Sequence, residues 1–183
     1  GEGTETTGLE VAAEWEVSDQ LYLSMSLFAA SPEFSGDFYD PNNPGSIVTR
    51  DGMPMPGSPE RKAFLGVDYS IPDLAGGTLS LHYDIAYQAE TWNSTGSILS
   101  NDRNGLADAW TYSNLSLDYQ PNNGSWWATL FVENLFDQRT YSWVNNFDNG
   151  SADLFGDPRW HNVRNIDRPR TIWLTLNYSF GDN

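Results

Sequence analysis

Apolar and polar residues alternate one by one along seven stretches of this chain, the spacing of a strand whose two faces meet different surroundings. The clearest stretch is the last, from Thr171 to Phe180. Ile172, Leu174, Leu176, Tyr178 and Phe180 fall on one face, Thr171, Thr175, Asn177 and Ser179 on the other, and Trp173 alone breaks the rule. The first predicted strand runs from Gly8 to Val17, with Leu9, Val11, Ala13, Trp15 and Val17 opposite Glu10, Glu14 and Glu16. Between them the same period predicts strands over Gln20 to Ala30, Lys62 to Ile71, Thr78 to Thr91, Ala109 to Gln120 and Ser125 to Asn134. No segment of comparable length carries apolar residues at helical spacing.

The connections alternate as regularly as the strands. Ser18-Asp19, Pro72 to Gly77, and Pro121 to Gly124 are short and rich in residues that favour turns. The others, roughly Ser31 to Arg61, Trp92 to Asp108 and Leu135 to Arg168, are long. Long loops without secondary structure are improbable inside a compact soluble domain. They are expected at one end of an up-and-down barrel that has short periplasmic turns and long extracellular loops. Strands of about 10 residues suffice to cross the hydrocarbon layer when tilted. Aromatic residues near the strand ends suggest two interfacial girdles: Trp15, Tyr22, Tyr69, Tyr119, Trp126, Tyr178 and Phe180 at the periplasmic end, and Trp92, Trp110, Tyr112, Tyr141 and Trp143 at the other. The predicted fold class is therefore all-β: an antiparallel up-and-down transmembrane β-barrel segment of about seven strands, one domain over residues 1–183. The competing reading is a soluble, Trp-rich sandwich.

Composition narrows the function. The formal net charge of −16, from 25 acids against 9 Lys and Arg, leaves no basic patch for phosphates, so nucleic acid is excluded as a partner. The chain has no cysteine, hence no disulfide framework and no thiolate ligand or nucleophile. No apolar run is long enough for a transmembrane helix, which does not bear on a barrel, where only alternate residues meet lipid. The start, Gly1 to Glu5, has no secretory-signal pattern.

Several short motifs occur in a telling order. Gly8-Leu9-Glu10 opens a strand, and Pro59-Glu60-Arg61-Lys62 precedes another. Val132-Glu133-Asn134-Leu135-Phe136-Asp137 closes the penultimate strand, with Tyr141 after it. Arg168-Pro169-Arg170 opens the last, and Phe180 ends its alternation near the C-terminus. In this the chain resembles the C-terminal part of the barrel of a TonB-dependent outer-membrane receptor. It departs from the family pattern in having Asp167 where a glycine usually precedes Arg-Pro-Arg, and in continuing through Gly181-Asp182-Asn183. The resemblance implies a barrel of roughly 22 strands with an N-terminal plug, residing in the outer membrane of a Gram-negative bacterium and importing an iron-siderophore or other scarce nutrient. The partners it implies are outer-membrane lipid, the TonB-ExbB-ExbD system acting through the plug, and the barrel-assembly machinery, for which Tyr178 and Phe180 form the assembly signal. The family motif maps onto Asn134, Leu135, Phe136, Asp137, Arg168, Pro169 and Arg170. With no plug and no TonB box in it, the chain is expected to be a fragment of a longer receptor, or a truncated product.

Candidate chemistry is sparse. His82 falls on the polar face beside Asp84 as a lone histidine, which suits a polar lumen residue or half of a pH-sensitive pair but not a metal site. Glu10, Glu14 and Glu16 share a face and must be wet, where arginines of a plug would match them. Asp37 to Asn43 and Asp148 to Asp153 are rich in oxygen ligands but lack the full spacing of a calcium loop. Arg159, His161 and Arg164 in the last long connection are the candidates for meeting an anionic chelate, with Arg168 and Arg170 nearby and salt bridges to the loop's own acids as the plainer role. No catalytic constellation, nucleotide-binding loop, metal site or cofactor site is recognisable, so no enzyme is expected. The alternative function is a soluble secreted carbohydrate-binding module stacking sugars on Trp92, Trp110, Trp126 and Trp127.

Overall fold

The computed structural model describes residues 3–147 and 161–180. In chain order its elements are β1 (Gly3–Ser18), β2 (Leu21–Ser35), β3 (Phe38–Asp40), β4 (Asn43–Thr49), β5 (Arg61–Leu74), β6 (Gly77–Gln88), β7 (Thr91–Trp92), α1 (Thr95–Ser100), β8 (Leu106–Ala107), β9 (Trp110–Pro121), β10 (Trp126–Glu133), β11 (Tyr141–Phe147), β12 (His161–Ile166) and β13 (Thr171–Tyr178). Seven of them form one antiparallel sheet in the order β1-β2-β5-β6-β9-β10-β13. These are the seven strands that the alternation predicts, each joined to its neighbour in sequence.

Register keeps the two faces apart across the whole sheet. One file of partners runs Trp15, Leu23, Val67, Tyr83, Leu115, Val132, Ile172, one residue per strand and all apolar. The neighbouring file runs Glu16, Tyr22, Asp68, His82, Ser116, Phe131, Trp173. Trp173, the exception in the sequence pattern, thus lies on the polar face. It stacks there on Phe131 with ring centroids 5.4 Å apart, so its break in alternation is repaid by a cross-strand aromatic pair.

The short connections are tight. β5 and β6 are joined by Ala75-Gly76 with φ of 49° and 79°, the left-handed pair of a two-residue hairpin turn. Beside it, a side chain on Gly77 would strike the backbone of Gln120 and Pro121 and the ring of Tyr119, whose hydroxyl donates to the Ala75 carbonyl at 3.0 Å. Glycine here lets an aromatic ring lie across the turn. β5 also runs on through Pro72 to Leu74, which the sequence reading assigned to the turn, by way of an irregularity between Ile71 and Leu74.

Two expectations need correcting. β1 and β2 are 16 and 15 residues long, well past the predicted ends at Gly8 and Ala30. Their upper parts carry Thr4, Thr6, Thr7, Pro32 and Ser35, which show no apolar alternation, yet they pair from Gly3 with Ser35 onward. The long connections are also not structureless. They hold the hairpins β3–β4, β7–β8 and β11–β12 together with α1. Residues 52–55 add a further backbone edge to upper β2, with Phe34 N–H donating to Met53 O, and Met55 and Gly52 N–H donating to Pro32 and Phe34 O.

The aromatic girdles hold only in part. Trp15, Tyr69, Tyr119, Trp126 and Tyr178 do share the apolar face near the short turns. Tyr22, Trp110 and Tyr112 instead alternate with the polar face, opposite Glu16, Gln88 and Ala86. Proximity to a strand end suggested the girdle, but side-chain direction follows parity.

The sheet has no protein core of its own. Among the described residues the buried apolar side chains are Met53, Ala89, Leu106, Ala107 and Val132, four of them in or beside the long connections. On the apolar face Leu9, Ile172, Leu174 and Leu176 are 61–74% exposed. A continuous apolar surface of this kind marks an interface with something apolar. Expressed alone, the chain is therefore expected to pellet with membranes or to require detergent. A monodisperse monomer that melts cooperatively in detergent-free buffer, seen by sedimentation and calorimetry, contradicts this.

Candidate functional site

The polar face carries the titratable groups, and register brings together residues far apart in sequence. His82 on β6 lies opposite Asp68 on β5, with Nδ1 2.7 Å from Asp68 Oδ1 and Nε2 3.7 Å from Asp84 Oδ1. Asp84, two residues away on the same strand, is visible from the alternation, whereas the contact with Asp68 depends on how β5 meets β6. Histidine 82 is thus not alone, although no cluster able to hold a metal occurs among the described residues. A hollow of about 360 Å³ opens beside it, lined by Glu16, Asp19, Tyr22, Asp68 and Asp118 as well as His82. Glu10, Glu14 and Glu16 occupy the same face of β1, exposed, as their spacing requires. The surface is strongly acidic, with Lys62 on β5 as a cation facing the same way.

Asp84 continues inward. Its Oδ2 accepts from Asn114 Nδ2 at 2.9 Å, and Asn114 Oδ1 accepts from the Asn134 backbone N–H at 3.2 Å. Asn134 ends β10 in a left-handed conformation, φ 53°, and is 1% exposed. Its side chain donates to the carbonyls of Gln138 at 2.9 Å and Arg168 at 3.0 Å and accepts from Gln138 N–H at 2.9 Å. An asparagine suits this position twice over: it tolerates positive φ, and its amide offers donor and acceptor together.

The rest of the motif clamps the same two ends of chain. Asp137, also left-handed at φ 51°, accepts the Arg170 N–H at 2.9 Å. Arg170 Nη1 reaches the Leu135 carbonyl at 3.5 Å, and Arg168 lies 4.0 Å from Glu133. Asp167, where the resemblance leads one to expect a glycine, accepts from the Thr140 hydroxyl at 2.6 Å, while its N–H donates to Thr140 O. The departure from the pattern thus supplies a further tie. Leu135 N–H donates to Ser113 O, and Pro169 O accepts from Thr171 Oγ1. Phe136 points outward, 62% exposed.

Other predicted site residues are placed less fully. Arg159 and the stretch Asp148 to Asp153 lie outside the described residues. His161 and Arg164 lie on β12, opposite Phe147 and Val144. Tyr178 and Phe180 meet edge-on, centroids 4.7 Å apart, and Phe180 is 93% exposed. The oxygen-rich segment after Asp37 spends its carboxylates on backbone: Asp37 accepts from Asp51 N–H, Asp51 from Gly36 N–H, Asp40 from Asn42 N–H. The tryptophans proposed for sugar stacking do not share a surface. Trp92 is in β7, Trp126 is on the apolar face, and Trp110 and Trp127 are on the polar face, on strands β9 and β10.

Asn134→Ala removes three hydrogen bonds and leaves a β-carbon at positive φ. The lipid-embedded protein is expected to lose about 2–4 kcal/mol in urea unfolding, while Phe136→Ala leaves the midpoint nearly unchanged. Equal midpoints for the two variants contradict the clamp.

The family model described as TonB dependent receptor-like, beta-barrel, matches residues 1–135. No curated protein matches the chain. Among solved structures, the ferric yersiniabactin uptake receptor FyuA from Yersinia pestis superposes with a TM-score of 0.72 at 18% identity, over 98% of this chain and 24% of that one. The ferric preacinetobactin receptor BauA from Acinetobacter baumannii gives 0.64 at 15% identity, over 98% and 22%. The ferric-catecholate import receptor Fiu from K12 E. coli gives 0.50 at 18% identity, over 97% and 28%. The chain spans about a quarter of the length of these receptors, and at such identities the likeness is one of fold. The family match, the seven-stranded two-faced sheet and the alternation of short and long connections agree: this chain belongs to the TonB-dependent receptor-like β-barrel family.

Proposed function

We propose that residues 1–183 are the C-terminal part of the barrel of an outer-membrane TonB-dependent receptor that takes up a ferric siderophore or a similar scarce nutrient. The observation that carries this reading is the register that carries one apolar file across all seven strands, in a chain of this family. The apolar face suits outer-membrane lipid and the polar face a wet lumen. The short turns then lie in the periplasm and the long connections outside the cell, where a nutrient arrives.

In this reading the acidic polar face lines the space that a plug fills, and the TonB-ExbB-ExbD system acts through that plug. Tyr178 and Phe180, aromatic and exposed at the end of β13, are offered to the barrel-assembly machinery. Arg159, His161 and Arg164 belong to the outward connection between β10 and β13. Arginine there suits a chelate with anionic oxygens, which a guanidinium binds in pairs. The chemistry required is binding and release. The family and the structurally similar proteins are transport receptors rather than enzymes.

The test is uptake of radioactive iron by cells stripped of their own receptors and supplied with the complete receptor that carries this chain. Catecholate, hydroxamate and phenolate chelates are offered in turn. Uptake of at least one is expected, and it should vanish in TonB-deficient cells. Replacing Arg159 and Arg164 together by alanine should weaken binding of that chelate at least about ten-fold. Uptake from none of the chelates overturns the ferric-siderophore reading, and uptake indifferent to TonB overturns the proposal as a whole.

A further inference from the structure

Asn114 sits between two groups of opposite need. The Asp84 carboxylate only accepts hydrogen bonds, and the Asn134 backbone N–H only donates. One orientation of the Asn114 amide satisfies both, with Nδ2 toward Asp84 at 2.9 Å and Oδ1 toward Asn134 at 3.2 Å. Asn134 in turn binds carbonyls at both ends of the long connection between β10 and β13, those of Gln138 and Arg168. A line of bonds therefore leads from a carboxylate on the polar face to the root of an outward loop.

The near end of that line is narrow but not closed: the Asp84 side chain is 18% exposed. Asp84 is flanked by His82 and, through it, by Asp68, whose side chains are 44% and 49% exposed. Beyond Asp84 across the sheet stand Gly66 and Ser24, with the Phe64 ring against Gly66, so the approach to Asp84 is past His82. A cation passing the exposed His82 can reach the uncovered edge of the carboxylate, and its bond would compete with the one from Asn114. Freed from Asp84, the amide no longer has a fixed orientation. The Asn134 N–H, at the end of β10 in a buried turn, then loses a partner that no strand replaces.

We propose that Asp84 is a positioning residue for the outward loop between β10 and β13, acting through Asn114 and Asn134, and that a cationic group reaching Asp84 from the lumen loosens that loop. The inference rests on the reading of the polar face as a barrel lumen. It links whatever fills the lumen to the exposed loop through three side chains on β6, β9 and the end of β10.

The chain contains no cysteine, so a nitroxide placed at Arg139→Cys, one residue past Gln138, reports on the root of the loop. The measurement uses the complete receptor in outer-membrane vesicles, with heat-modifiable migration on gels as the check that the barrel has assembled. Asp84→Ala and Asn114→Ala should each raise the ratio of mobile to immobile label about ten-fold. Asp84→Asn keeps an accepting oxygen for Asn114 and should restore the immobile spectrum. Asp118→Ala, on the same face but off this line, should resemble the wild type. Spermidine at constant ionic strength should mobilise the wild-type label but not that of Asp84→Asn. An assembled Asp84→Ala barrel with an immobile label overturns the inference, as does Asp84→Asn matching Asp84→Ala. A spermidine effect that is absent, or shared by Asp84→Asn, overturns the cation half. Failure of the wild type to assemble a heat-modifiable barrel overturns the membrane reading itself and the inference with it.

Discussion

Everything in this sheet depends on pairing register. In hydrocarbon each unpaired backbone N–H or C=O costs several kcal/mol, so a membrane-spanning sheet must hydrogen-bond throughout. Because side chains alternate, slipping one seam by one residue would turn every side chain beyond it to the wrong face. Six consecutive seams avoid this, from Trp15 on β1 to Ile172 on β13. The register shifts within the sheet lie between Glu16 and Ser18 and between Ile71 and Leu74, both beside short turns. There an extra residue, Val17 in β1, bends the chain without changing the parity of the strands beyond it.

That constraint explains which features were legible in the sequence. Where one face of the sheet is apolar at every second position, the pattern is written locally, and all seven strands could be read from it. Beyond the apolar face the pattern ends. Thr4 to Thr7 pair with Ser31 to Phe34 for backbone reasons alone, and nothing in their side chains announces a strand. The partners of His82 were hidden for a related reason. Asp84 is near in sequence, but Asp68 becomes a neighbour only once β5 and β6 are in register. The Asn134 clamp was visible as a motif and not as a structure, since its bonds reach Asn114 and Arg168, twenty and thirty-four residues away.

Two kinds of stability divide the molecule. The sheet contributes hydrogen bonds and a two-sided pattern, and its apolar surface is completed by its surroundings. The long connections behave more like a small soluble protein, with Met53, Leu106 and Ala107 buried and turns tied across loops, as where Gly57 N–H donates to Trp92 O at 2.7 Å. α1 fits this picture: Ser94 caps its start by accepting from Ser97 N–H, and Asn101 closes it at φ 54°. Loops organised in this way are held by contacts of their own, while the apolar face of the sheet is left exposed.

The sheet also constrains what can complete it. With seven antiparallel strands, β1 and β13 run in the same direction. Joining β13 of one copy to β1 of another would place two strands pointing the same way side by side, a parallel seam in an otherwise antiparallel sheet. A barrel closed by antiparallel pairing alone has an even number of strands. The strands that close this one must therefore be odd in number, and both of their own edges must run opposite to β1 and β13. Copies of this chain joined β13 to β1 cannot meet that condition, however many there are. The acidic residues Glu10, Glu14 and Glu16 add a second condition at the β1 edge: the neighbouring strand must place its polar side chains in the same lumen, since the opposite parity would set apolar groups against this carboxylate row.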